Sequence, residues 1–140
     1  MSISFIDLKE QYKPLKKEIN NRIKKVLDHG QYIMGPEVKE LEKKLANFTG
    51  SKYCVTVSSG TDALLISLMS LGIKPGDEII TTPFSFISTA EVIVMLKAKP
   101  VFVDIELDTC NINADLIEKK ISKKTKLKIK LIKKKLGLDY

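Results

Sequence analysis

A chain of 140 residues with 44% hydrophobic and 29% charged side chains is long enough for one domain with a modest core, which excludes disordered and fibrous classes. Two cysteines, Cys54 and Cys110, are too few for a disulfide framework and read as reduced thiols, and no run of about 18 apolar residues offers a membrane span. The net charge of +7 is local: residues 119–135 hold ten of the 24 basic residues, whereas residues 1–118 carry 14 basic and 16 acidic groups, a distribution that argues against a nucleic-acid-binding face.

The start, MSISFIDLKEQ, lacks the basic beginning and apolar centre of a signal peptide, so a cytoplasmic location is expected. From residue 9 to about 28, Tyr12, Leu15, Ile19, Ile23, Val26 and Leu27 recur at spacings of three or four. That predicts a helix with one apolar stripe, with Pro14 in its first turns and His29-Gly30 at its end. Pro36 opens a second such pattern through Val38, Leu41, Leu45 and Phe48, closed by Gly50. The rhythm then changes. YCVTV (53–57) predicts a strand, residues 61–72 a buried helix and Lys74–Asp77 a turn. EIITT (78–82) predicts a second strand, residues 86–98 a helix and PVFVDI (100–105) a third strand. A last helix is expected from Asn111 to Ile121, capped near Asn113 or Asp115. Alternating strands and helices with nearly continuous apolar strands predict an α/β fold, its parallel sheet covered on both faces.

The small polar elbow Ser58-Ser59-Gly60-Thr61-Asp62 falls where a strand meets a helix, the place where ligands collect in such folds. Gly60 lets backbone approach a ligand, the first helix amides lack partners, and Ser58, Ser59 and Thr61 add hydroxyls, so phosphate is the natural guest. The competing reading is a helix cap on Thr61 or Asp62. Phe84 and Phe86 straddle the next strand-to-helix junction, as core aromatics or as a ring lying over a flat ligand.

The stretch SSGTDALLISLMSLGIKPGDEIITTPFSFISTAEVIVMLKAKPVFVDI resembles the DegT/DnrJ/StrS family of pyridoxal-phosphate (PLP) enzymes, as do FIDLKEQY, YIMGPEVKELEKKLANFTG and DIELDTCNI, over roughly residues 3–125. The resemblance implies the N-terminal part of an aspartate-aminotransferase-like (fold type I PLP) domain, a mostly parallel sheet with flanking helices, incomplete. It implies pyridoxal 5'-phosphate as cofactor, amination of nucleotide-linked keto-sugars with a glutamate-type donor, and a homodimer. By the same resemblance, Gly60, Thr61 and Asp62 match the turn that holds the PLP phosphate, and Phe86 the aromatic that stacks on the pyridine ring. Tyr32 and the residues after it match a segment that approaches the other subunit's active site. Asp104 matches a regular acidic position and is left structural.

Family members place the Schiff-base lysine and the acid beside the pyridinium nitrogen well beyond DIELDTCNI. No catalytic residue and no metal ligand is therefore assigned here, and covalent attachment at a matching lysine is not expected. The resemblance stops near Lys126, which divides the chain into residues 1–125 and a divergent basic tail, 126–140. Lys134-Lys135-Leu136-Gly137 matches part of the family's lysine motif in the wrong context. Alternation from Lys126 to Leu131 suits a lysine-guarded edge strand, or the tail is simply solvated. The expectation is a truncated or out-of-frame aminotransferase, inactive alone, whose unpaired sheet edge favours self-association. The alternatives are a non-catalytic phosphate-binding module whose basic tail meets an acidic partner, and a relative that dehydrates rather than aminates.

Overall fold

The computed structural model describes residues 5–126, which fall into two compact units, Met1–Thr56 and Val57–Tyr140. The first unit is built on two helices. Helix α1 (Leu8–His29) starts where the Asp7 carboxylate accepts from the backbone N–H groups of Lys9 and Glu10, at 3.0 and 3.1 Å. It runs through Pro14 and ends at Gly30, whose φ of 69° places it in the left-handed region that favours glycine. Helix α2 (Pro36–Thr49) has proline at its first position and Gly50, with φ 70°, beyond its end. Both helices therefore begin and end for the reasons their sequences supply.

Arg22 on α1 grips Glu40 on α2 with two bonds, Nη1 to Oε2 at 2.8 Å and Nη2 to Oε1 at 3.1 Å, and Lys44 approaches the same carboxylate at 2.7 Å. These hydrogen bonds from Arg22 and Lys44 bring the Glu40 carboxyl down to about 2. The cluster is solvated and fixes direction more than it adds stability. No residue of either helix is fully buried, and Leu27 and Leu41 stay about half exposed. The apolar stripes exist as the spacing predicts, but two helices have too little surface to cover them.

Gly35, at the start of α2, is required for space and not for its dihedral angles. A Cβ there would fall inside hard contact with the backbone oxygen of Gln31. Gly35→Ala is expected to destabilise the chain by about 1–3 kcal/mol, the usual cost of forced overpacking. A thermal melt lowered by several degrees would show it, and an unchanged melt would contradict the contact.

The second unit contains α3 (Gly60–Ser70), β1 (Glu78–Thr81), α4 (Ser88–Met95), β2 (Lys99–Phe102), α5 (Ala114–Ile117) and a 3₁₀ turn over Glu118–Lys120. Strands β1 and β2 pair in parallel, from Glu78 opposite Lys99 to Thr81 opposite Phe102, with α4 as the crossover. Helix α4 packs on both strands and on α3. The core is the cluster Ile79, Val92, Ile93 and Ala98, against which Leu65, Leu68 and Ile73 pack. A third backbone contact lies along β1: the Glu78 N–H donates to Lys124 and its carbonyl accepts from Lys126, making a parallel bridge to Thr125.

Three expectations are corrected. Residues 53–57 form no strand: Val55 is 75% exposed, and the Thr56 N–H and hydroxyl both donate to Glu42 Oε1, at 2.8 and 2.9 Å. A strand needs a neighbour to take its backbone groups, and here a carboxylate takes the amide instead. Those two bonds outweigh partial desolvation and hold the Glu42 carboxyl below its ordinary value. The last helix is shorter than expected, although Asn113 does cap it by accepting from the Asp115 N–H at 3.0 Å. The sheet is not covered on both faces among the described residues, because Ile79 and Thr81 are buried while Glu78 and Ile80 on the alternate face are only half-buried. The alternation expected from Lys126 to Leu131 and the Lys134–Gly137 motif lie outside the described residues.

Candidate functional site

The elbow is the first turn of α3. Ser59 has extended backbone, and its Oγ accepts from the Asp62 N–H at 3.1 Å, which makes Ser59 the capping residue. The cap is thus not on Thr61 or Asp62, because the helix begins at Gly60, with the Ala63 N–H reaching the Ser59 carbonyl at 3.0 Å. Asp62 returns the bond: its Oδ2 accepts from the Ser59 hydroxyl at 3.0 Å and from the Ser58 hydroxyl. These hydroxyls, Ser58 first and then Ser59, hold the Asp62 carboxyl below its ordinary value. Ser59 thus caps the helix through its Oγ while its hydroxyl hydrogen is spent on the Asp62 carboxylate, so the Ser59–Asp62 pair is closed within the turn.

The pairing decides which groups are free. Among the described residues, the Gly60 and Thr61 N–H groups and the Thr61 hydroxyl have no protein hydrogen-bond partner, whereas Ser58 and Ser59 are engaged with Asp62. A Cβ added to Gly60 would meet no heavy atom within 4 Å, so the space beside these amides is open. Two free amides, one hydroxyl and the positive end of an 11-residue helix make a cradle for an oxyanion such as a phosphate.

Phe86 lies in the link between β1 and α4 and is 74% exposed; Phe84 is 63% exposed. The core reading of these rings is not what the fold adopts. The backbone holding them is fixed, with the Phe84 N–H donating to Thr82 Oγ1 and the Thr89 N–H to the Phe86 carbonyl, both at 3.2 Å. The ring of Phe86 therefore offers an open apolar face just before α4, the helix that packs against α3. Open amides at the start of α3 and an exposed ring in the loop before α4 are the features that a ligand anionic at one end and flat at the other, as pyridoxal phosphate is, would use.

The other sequence candidates have local surroundings of their own. Tyr32 is exposed in the α1–α2 link of the first unit. Asp104 accepts from the Ile105 N–H at 2.8 Å and its carbonyl accepts from Asn113, a local structural role. Cys54 and Cys110 are free thiols. Among the described residues no group of three or more His, Cys, Asp or Glu side chains could hold a metal, and no helix is long and apolar enough to cross a membrane.

A model of the DegT/DnrJ/EryC1/StrS aminotransferase family matches residues 13–132. The chain is 52% identical over 124 residues to a UDP-2-acetamido-2-deoxy-3-oxo-D-glucuronate aminotransferase of Pseudomonas aeruginosa, covering 89% of this chain and 34% of that protein. Among solved structures it is similar to a Bacillus subtilis protein with bound PMP, at 33% identity and a TM-score of 0.81, covering 89% of this chain and 29% of the other. A GDP-4-keto-6-deoxymannose-3-dehydratase with a trapped PLP-glutamate geminal diamine is similar at 34% identity and a TM-score of 0.69, over 76% and 29%. The chain spans about a third of the length of the curated relatives it matches. Its architecture is that of the N-terminal part of the aspartate-aminotransferase-like fold, and the cofactor these likenesses imply is pyridoxal phosphate.

Proposed function

The chain belongs to the DegT/DnrJ/EryC1/StrS aminotransferase family, and from that membership we propose that residues 1–125 are the part of a nucleotide-sugar aminotransferase that seats pyridoxal phosphate. The carrying observation is the open pair of amides at Gly60 and Thr61 beside the free Thr61 hydroxyl. In this reading the Gly60–Asp62 turn holds the phosphate and the Phe86 ring lies against the pyridine. When bound, the cofactor supplies the electron-withdrawing ring on which transamination depends. The chain's own contribution is to anchor and orient: two N–H groups and one hydroxyl fix the anionic end, and an apolar ring excludes water from one face.

A keto-sugar carried on a nucleotide is the proposed acceptor, in line with the UDP-sugar named for the Pseudomonas relative, and a glutamate-type amine the proposed donor. Amination is favoured over dehydration because the more similar curated relative is an aminotransferase. A homodimer and a cytoplasmic setting belong to the same proposal. Made alone, these 140 residues are expected to bind pyridoxamine phosphate but not to convert keto-sugar and glutamate, since the resemblance assigns no residue among them to carry the Schiff base.

The test is equilibrium dialysis of the chain against pyridoxamine phosphate, whose amine avoids imine formation with surface lysines, alongside a turnover assay. Saturable binding displaced by inorganic phosphate, without turnover, is the expected result. Turnover at a rate typical of an enzyme would overturn the inactive assignment. Inorganic phosphate bound as tightly as pyridoxamine phosphate would favour a simple phosphate-binding module.

A further inference from the structure

The chain's single histidine, His29, is the last residue of α1, and it touches both sides of the link to α2. Its Nδ1 accepts from the Gln31 N–H at 3.0 Å, and its Nε2 lies 3.2 Å from both carboxylate oxygens of Glu37. Both side chains are three-quarters or more buried. An imidazole nitrogen that accepts from a backbone N–H carries no proton, so the remaining hydrogen sits on Nε2 and points at Glu37. The neutral ring therefore satisfies one donor and one acceptor at once.

We propose that His29 is a pH-responsive latch on the Gly30–Gly35 link, closed while the imidazole is neutral and released at Gln31 when the ring takes a second proton. That proton comes from solvent and lands on Nδ1, where it faces the Gln31 N–H donor and ends that hydrogen bond. The Nε2–H remains on Glu37 and becomes half of an ion pair. Protonation thus exchanges a strap across the link for a stronger hold at its far end. The charged group that faces the ring is Glu37 from α2, and Lys25 and Arg22 of α1 act in turn on the Glu37 carboxylate.

The link is a place where losing one bond matters. It carries Tyr32, Ile33 and Met34, all well exposed, and Met34 is held at φ 52°, a left-handed conformation that a side chain adopts only when its surroundings impose it. A Cβ on Gly35 would run into the Gln31 carbonyl, so Gln31 is bonded by His29 through its N–H and closely approached by Gly35 at its carbonyl. Releasing its N–H frees the turn that presents Tyr32.

The test is a titration of the full chain by NMR, following the ring protons of His29 and the protection of the Gln31 amide. As the ring becomes protonated, Gln31 protection is expected to fall about fivefold, the equivalent of one net hydrogen bond. Both changes share one midpoint. His29→Gln, which keeps a donor for Glu37 but does not titrate, is expected to remove the step. Glu37→Gln lowers the ring's midpoint while the Gln31 step moves with it. A Gln31 amide indifferent to ring protonation, or a step that persists in His29→Gln, overturns the proposal. If His29→Gln does not fold, the wild-type titration decides alone.

Discussion

Replacing Gly60 by valine is expected to leave the fold intact and to weaken pyridoxamine phosphate binding at least tenfold. The two halves of that expectation rest on one observation. No protein heavy atom lies within 4 Å of where a Gly60 Cβ would stand, so the added side chain meets nothing that the fold needs. Gly60 is also not among the glycines with positive φ, so a side chain brings no backbone strain there. The side chain enters open space on the first helical residue, whose N–H, like that of Thr61, has no protein partner. Hydrogen bonds to a charged group contribute roughly 1.5–3 kcal/mol each, so disturbing even one is worth about a tenfold to hundredfold loss of affinity. Thr61→Val, which removes only the free hydroxyl, is expected to lose about tenfold by the same reasoning. Urea unfolding and equilibrium dialysis separate the effects: a stable Gly60→Val chain that binds as tightly as the parent would mean the anion is held elsewhere.

Ile93→Ala is expected to cost roughly 2–5 kcal/mol, enough to unfold much of the second unit when whole domains are stable by only about 5–15 kcal/mol. Ile93 is 2% exposed and sits in the cluster of Ile79, Val92, Ile93 and Ala98, which joins β1, α4 and the approach to β2. Because that cluster has four buried members among the described residues, the cavity left by three missing carbons has few neighbours able to close it. Ile66 on α3, about half exposed, is the control, and Ile66→Ala should change stability by no more than about 0.5 kcal/mol. Equal losses in the two variants, read as shifts in the urea midpoint, would mean that the second unit does not depend on this core.

The parts of the fold legible in the sequence are those fixed by local chemistry. Pro36 and the glycines at 30 and 50 mark helix ends because their backbone preferences are their own. The parallel pairing of EIIT with KPVF follows from short apolar runs separated by a helix. What failed was non-local. YCVTV has strand chemistry, yet its amide at Thr56 goes to Glu42, fourteen residues away, and no periodicity reports such a choice. The apolar stripes of α1 and α2 were legible as stripes, but whether anything covers them depends on surface that spacing does not count.

The site divides in the same way. The proposed anion site at the elbow could be suggested by a glycine and hydroxyls before a helix, and the resemblance singled out Gly60, Thr61, Asp62 and Phe86. The removal of Ser58 and Ser59 from the set of free donors needed three-dimensional pairing with Asp62. So did the exposure of Phe86, since a phenylalanine beside a strand end is a core residue by composition alone. His29 carried no signal as a helix terminator that would have revealed its bond to Gln31.

The most direct test of the phosphate-cradle reading is an amide NMR titration of the chain with pyridoxamine phosphate, followed by displacement with inorganic phosphate. The account predicts that the Gly60 and Thr61 amides move first and furthest, that the Phe86 ring protons shift with pyridoxamine phosphate but return when inorganic phosphate replaces it, and that the Ser58 and Ser59 surroundings stay nearly still. Saturable shifts centred on other residues, or no shift at Gly60 and Thr61 at saturating ligand, would contradict it.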